Sequence, residues 1–515
     1  MNDWIERSGK YTLWDRRSGF EISFAGMDFT ADDLEALQDK FERASSEMIK
    51  LEAGAIKNPD EQRKVTHFSD RMIYPESSEF REVEEFAAAV RNEGRFDAVV
   101  VNGIGGSALG PQLMQFAING PYWNEMSADQ RRNGLKIYFL DNTDSAGVAD
   151  LLAVIDLKRT LHLVISKSGG TQETRNNMIA MENIYAGHGL KFADHAVAVT
   201  MKDSSLYKHA VESGFLKIFN MADSVGGRTS ETAIVGHLPA ALTGIDFKTF
   251  LAGACAMDEW TRSKDYSANP AMMLAAMWYI AGKGKGDRNM VIVPYSDRLV
   301  LLSRYLQQLV MESIGKELDL DGKIVHQGLS VFGNKGGTDA HAFIQQLNDG
   351  RDDFFATFIE VQQDAMKLPI DGNIAMGDYL HGFLEGLCAA LRSKGRQIIT
   401  IRIPELTVFE LGQIIALYER TVAIYAEFIN INAFHQPGVQ AYKLAAKAAL
   451  TLRETVLNFL NEHPDFSGSA DDLAARTGLT GQSVEIAALL DRAAVNGEYV
   501  CRSTGDCGKW IYAAK

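Results

Sequence analysis

The sequence predicts an α/β protein with two tandem, doubly wound domains, mostly parallel sheets flanked by helices, and a small winged-helix-like module at the C-terminus. Three observations carry this reading. Short apolar runs alternate with helical segments, the pattern of a parallel sheet covered on both faces. The pattern restarts once, near residue 245. After about residue 462 the chain changes to two short helices, each stopped by a glycine, and then a hairpin.

Residues 1–60 read as a helical N-terminal segment, with Leu34, Leu37, Phe41, Met48 and Leu51 at helical spacing. Residues 61–245 form the first α/β domain. In FDAVVVNGIGGSALGPQLM, Ala98 to Val101 make a short buried strand, Gly103 to Ser107 a glycine-rich turn, and Pro111 suits the first turn of a helix. KIYFLD, LVI (163–165), AVAVTM and LKIFNM follow as further apolar segments. Residues 246–462 repeat the scheme. NMVIVPYSD is a strand, Leu299 to Ser313 a continuous helix ended by Gly315, and KIVHQGLS and RQIITIRIP are two more strands. HPDFSGS then reads as a linker to the appendage, residues 463–515.

A formal charge of −15 disfavours a nucleic-acid binder and an anionic membrane surface. The appendage, with seven acidic and five basic side chains from Asp465 to Lys515, is poorly equipped to grip a phosphate backbone. Four cysteines (Cys255, Cys388, Cys501, Cys507) make no disulfide framework, so a reducing cytoplasm is the expected compartment. The polar N-terminus lacks a secretory h-region, and the longest apolar runs fall short of the roughly 20 residues that span a bilayer.

The most informative stretch is LVISKSGGTQETRNN. A strand breaks into Ser166-Lys167-Ser168-Gly169-Gly170-Thr171, and a helix begins at Gln172. Unpaired N–H groups and a helix N-terminus suit an anion, and three hydroxyls and a lysine add donors. This loop is expected to hold the phosphate of a sugar phosphate. The Gly103–Ala108 turn formally satisfies a dinucleotide fingerprint, but the acidic residue closing the next strand, Asp141, lies nearly twice as far along as that motif requires. Close approach of backbone to substrate, with Gly106 and Ser107 as donors, is the preferred reading.

Four further positions carry chemistry. Glu312 closes a polar stripe with Arg304 and Gln308 on an otherwise apolar helix, where a carboxylate can serve as a general base. His341 sits in the glycine-opened turn GGTDAHAF, with Asp339 placed to orient its ring. Arg228 follows Gly226-Gly227, and Lys443 lies in the first turns of the helix after Pro437-Gly438. Scattered histidines and a lone Cys501/Cys507 pair give no zinc spacing, so no metal is expected.

GIGGSALGP, SKSGGTQET, GGRTSETAIVG, MESIGK, GTDAHAF and FHQPGVQAYK occur in one order over residues 60 to 460. In this the chain resembles the glucose-6-phosphate isomerase (phosphoglucose isomerase) family, of the type built from two sugar-isomerase (SIS) domains. The resemblance implies interconversion of glucose 6-phosphate and fructose 6-phosphate without metal or organic cofactor. It implies a phosphate cradle of Ser166, Lys167, Ser168 and Thr171 with Gly106 and Ser107, and Glu312 as the base between C2 and C1. Arg228 would stabilise the cis-enediolate, His341 and Lys443 would open the sugar ring, and Gln308 and Gln436 would bind substrate. It further implies a homodimer in which His341 comes from the partner subunit. Thr229 replaces an aromatic, Gln440 a glutamate, and Gly169-Gly170 bulkier residues of the family pattern. The compact SKSGGT loop leaves a dual glucose/mannose phosphate isomerase as an alternative, and the tail leaves a sugar-phosphate-sensing regulator.

Overall fold

The computed structural model describes residues 2–504 and 510–515, excluding the side chains of residues 2, 3 and 440–444. Its first sheet is wholly parallel, with strands in the order Lys136–Leu140, Ala98–Asn102, Thr160–Ile165, Ala196–Thr200 and Lys217–Asn220. Its strands are valine- and alanine-rich because both faces are covered. Val99, Val101, Leu163 and Val197 enter one core, and Val100, Val164, Ala196 and Ala198 enter the opposite one.

The second sheet has three central parallel strands, Asn289–Tyr295, Phe354–Val361 and Gln397–Ile403. The short Val331–Phe332 adds a parallel edge. At the other edge Glu21–Ser23 pairs antiparallel with Gln397–Ile403, and Thr12–Trp14 pairs with Glu21–Ser23. The N-terminal segment is therefore helical over Gln38–Glu52, where Phe41, Met48 and Leu51 are buried, and also supplies two strands to the distant second sheet.

Three expectations are corrected. Ile324–Gln327, within KIVHQGLS, pairs antiparallel with Lys316–Leu318 in a separate hairpin; its largely exposed residues have no face to bury in a covered sheet. The strand that takes the central place is the almost wholly buried Phe354–Val361. Leu299 to Ser313 is not one regular helix: Asp297–Leu299 is 3-10, Leu302–Leu306 is α, and Gln307–Glu312 is a π-turn. HPDFSGS is packed rather than a linker, since Phe466 shares a core with Val456 and Leu460 of the preceding helix, Pro437–Glu462.

The chain divides into two compact units, Met1–His435 and Gln436–Lys515. The second contains the long helix Pro437–Glu462, helices Ala470–Thr477 and Ser483–Val495, and the antiparallel pair Val500–Thr504 and Trp510–Ala514. Gly478 and Gly497, both at positive φ, follow the two short helices as expected. Among the described residues no helix is long and apolar enough to cross a membrane.

Candidate active site

In the first sheet the neighbours Ala98–Asn102 and Thr160–Ile165 send their following helices from the point where strand order reverses, the place where open parallel sheets bind ligands. Both glycine-bearing loops leave from there. Gly105 adopts φ +57 just before helix Gly106–Ile118, and no side chain caps that helix. Helix Gln172–Gly187 begins after Thr171, whose side chain likewise makes no cap. Two helix N-termini thus face the switch point without side-chain partners for their N–H groups, which suits a phosphate.

The SKSGGT loop is held from behind. Ser166 N–H donates to Val199 O, and Thr200 Oγ1 donates to Ser166 O at 2.7 Å. Ser166 Oγ donates to Thr171 Oγ1 at 3.3 Å, and Ser168 Oγ accepts from Gly170 N–H. Lys167 differs from expectation. Its ammonium donates to the main-chain carbonyls of Asp223 and Val225, so it ties this loop to the segment leading into Gly226-Gly227-Arg228. Burial pulls its pKa below the ordinary lysine value. Ser107 N–H is engaged by Ile104 O at 3.2 Å, so in this state its main-chain donor is in use.

Gly106 packs directly on the next motif. A Cβ there would lie 1.8 Å from Gly227 O, which only a glycine avoids. Gly106→Ala is therefore expected to displace the Arg228 turn, costing about 1–3 kcal/mol of stability and lowering kcat/KM. Thermal unfolding and steady-state kinetics on the same preparation test this.

Arg228 and Glu312, from different motifs, meet across this contact. Arg228 Nη1 lies 3.1 Å from Glu312 Oε1, without the alignment of a hydrogen bond, so a buried donor is left for a further acceptor. Arg228 Nη2 donates to His435 O at 3.1 Å. Burial lowers the guanidinium pKa against the attraction of Glu312. The other carboxylate oxygen of Glu312 accepts from Gln308 Nε2 at 3.0 Å. The π-turn thus brings amide and carboxylate together on one side while Leu309 and Val310 stay buried. Gln308 Nε2 also lies where a side chain on Gly105 would be, so the amide borders the first glycine loop.

Arg304 joins this stripe only in sequence: it is exposed and pairs weakly with Asp141 at 3.6 Å. His341 is exposed, and no described contact links it to Glu312 or Arg228. Asp339 does not orient its ring. The buried Asp339 carboxylate accepts instead from the N–H groups of Asn334 and Lys335 at 3.0 Å, because a tight turn needs those donors satisfied. Gln436 opens the second unit, and the side chains of Lys443 and Gln440 lie outside the described residues.

Three groups went unassigned in the sequence. His435 supplies the carbonyl that holds Arg228, and Arg63 donates to Asp223 O at 2.8 Å beside Lys167. Lys316, inside MESIGK, donates to the main-chain oxygen of Glu312 at 2.6 Å. Its place in a recurring motif was the available signal.

Among the described residues one group could hold a metal: Glu360, His381 and Glu385 bring ligand atoms within 4.8 Å of one another. Arg402 already donates to Glu360 and Glu385 at 2.8 Å each, so these carboxylates carry a fixed cation.

The family model of phosphoglucose isomerase matches residues 84–382 and 384–473. This chain belongs to that family. Proteins named glucose-6-phosphate isomerase from Nostoc punctiforme and Geobacter sulfurreducens are 46% and 45% identical, with 90% and 96% of this chain and 90% and 95% of theirs aligned. The crystal structure of a glucose-6-phosphate isomerase from Chlamydia trachomatis superposes with a TM-score of 0.78 at 28% identity, covering 88% of this chain and 94% of its own. The phosphoglucose isomerase match runs to residue 473, and so into the appendage 463–515 that the motifs alone leave outside the resemblance. The phosphoglucose isomerase motifs GIGGSALGP, SKSGGTQET, GGRTSETAIVG and MESIGK are the segments that the first unit brings into contact, directly or through Lys167.

Proposed function

We propose that this chain interconverts glucose 6-phosphate and fructose 6-phosphate through a cis-enediolate, with Glu312 moving the proton between C2 and C1. The observation that carries this is the pairing of buried Arg228 with half-buried Glu312 beside two uncapped helix N-termini. A proton α to a carbonyl is weakly acidic. Its removal needs a positioned base and a fixed positive group where enolate charge develops. Glu312 and Arg228 are those two groups, and Gln308 holds the carboxylate in aim. Ser166, Ser168, Thr171, Ser107 and the N–H group at Gly106 cradle the phosphate, which does not react but supplies binding energy for alignment. Lys167 contributes positive charge from behind the loop. His341 and Lys443 serve ring opening and Gln436 binds substrate, roles that rest on the family motifs.

Supply of His341 by a partner subunit fits its exposure here. The nearby hairpin Pro369–Asp371/Ile374–Ala375 and the helix Met376–Ser393 leave Ile370, Ile374, Met376 and Phe383 exposed, an apolar surface suited to a second copy. The reading also places the enzyme in the cytoplasm and treats residues 61–245 and 246–462 as two sugar-isomerase domains.

The deciding experiment supplies fructose 6-phosphate to the purified protein and follows glucose 6-phosphate with a coupled dehydrogenase, with and without a chelator. Chelator-insensitive turnover is expected, and undetectable turnover would overturn the assignment. Mannose 6-phosphate in the same assay tests the dual-specificity alternative. Mixing inactive His341→Ala and Glu312→Gln proteins after dissociation is expected to restore activity at about one quarter of the sites, since a two-fold heterodimer regains one complete site. No recovery would contradict the shared site.

A further inference from the structure

The turn that carries Glu312 ends in a lysine whose charge is not explained by holding the fold. Lys316 is only 4% exposed. Its ammonium donates to the main-chain carbonyl of Glu312, one of the carbonyls left unpaired at a helix C-terminus. The Glu312 carboxylate itself is taken up by Arg228 and Gln308. Two buried cations therefore bear on one glutamate, Arg228 at its carboxylate and Lys316 at its main-chain carbonyl, an arrangement that costs free energy in the empty site unless an anion arrives.

We infer that Lys316 is a positioning residue for the isomerisation, its buried ammonium locking the π-turn that aims Glu312 at Arg228 and adding a second fixed positive charge to that pair. The inference rests on the isomerase reading above and assigns within it a residue that does not touch the reacting atoms. A main-chain hydrogen bond at the Glu312 carbonyl fixes the backbone from which the base projects, and small displacements of a base are costly to rate. The excess positive charge is neutralised as the enediolate forms, so it favours the transition state over the neutral open-chain sugar.

The charged groups around Lys316 are Arg228 from the Gly-Gly-Arg turn, the Glu312 carboxylate, and His435, which itself faces Asp60 at 3.6 Å. Arg63 and Glu61 pair beyond Arg228 at 2.7 Å. Gln327, opposite Lys316 in the hairpin, is neutral. Burial first, and then Arg228, pull the ammonium to about 7 against the attraction of Glu312. The charged form is thus present below that pH and is lost as pH rises through it in the free enzyme.

The test compares wild type with Lys316→Met and Lys316→Arg. Lys316→Met is expected to lower kcat by about 10- to 100-fold with KM for fructose 6-phosphate nearly unchanged. Binding of a five-carbon sugar-acid phosphate, whose carboxylate imitates the enediolate, is expected to weaken by the same factor. In wild type kcat/KM should fall on an alkaline limb near pH 7, and in Lys316→Arg, which keeps the charge, that limb should move upward. If Lys316→Met does not fold, the limb in Lys316→Arg decides the matter. Unchanged kcat and analogue affinity in a folded Lys316→Met protein, or an unmoved limb in Lys316→Arg, would overturn the inference. Because wild type is assayed alongside, an inactive wild type refutes the isomerase reading instead.

Discussion

Glu312→Gln is expected to lower kcat for fructose 6-phosphate by about 10²- to 10⁴-fold, the usual contribution of a general base, while KM changes little. Glutamine keeps the shape of the side chain but cannot accept a proton. The phosphate loops lie on the first sheet and do not depend on this carboxylate, so ground-state binding should survive. The replacement also removes the counter-charge of Arg228, which remains buried and bonded only to His435 O among its described partners. A modest loss of stability is therefore expected as well, and thermal unfolding separates it from the kinetic effect. A fall in kcat that merely tracked unfolding would point to a structural role for Glu312.

The second large effect is on stability. Asp258→Ala is expected to destabilise the protein by about 3–5 kcal/mol, the scale for removing one member of a buried ion network. Asp258 accepts from Arg71 Nε and Nη2 at 2.5 Å each and from Arg420 Nε at 2.6 Å. Arg71 Nη1 continues to Glu419, and Arg420 Nη2 to Glu52. Arg71, Asp258 and Glu419 are fully shielded from water, so each charge depends on its partners. Burial alone would raise the Asp258 carboxyl, but Arg71 and Arg420 outweigh it and hold it below the ordinary value. Removing it leaves two buried guanidinium groups with only Glu419 and Glu52 as carboxylate partners among those described. The loss would take a large share of the stability that a folded protein has to spare. Chemical denaturation with the midpoint and slope fitted separately measures it; a shift under about 1 kcal/mol would contradict the burial argument.

The parts of this architecture that were legible in sequence are those set by local chemistry. VVVN followed by GIGGS, and LVIS followed by KSGGT, announce a buried strand and a loop whose donors are free, and both loops stand at the switch point of the first sheet. The rest depends on distance along the chain. Nothing local tells Thr12–Trp14 and Glu21–Ser23 that their sheet partner begins at Gln397. An apolar run such as FFATFIEV has no period by which to announce a central strand, whereas the more polar KIVHQ looked strand-like and forms only a hairpin. The helical stripe of Gln308 and Glu312 was visible, but the π-turn that carries it was not, since a spacing of four residues suits both geometries. Asp339 next to His341 misled because a buried carboxylate serves the nearest unpaired N–H groups first.

Solvent exchange tests the central chemistry most directly. Wild type and Glu312→Gln would be equilibrated with fructose 6-phosphate in D₂O over many turnovers, and deuterium at C2 of glucose 6-phosphate followed by NMR. If Glu312 carries the proton, deuterium accumulates at C2 with wild type, and isomerisation and exchange fall together in Glu312→Gln. Isomerisation by wild type with C2 remaining fully protiated, or exchange by Glu312→Gln at the wild-type rate, would contradict that role.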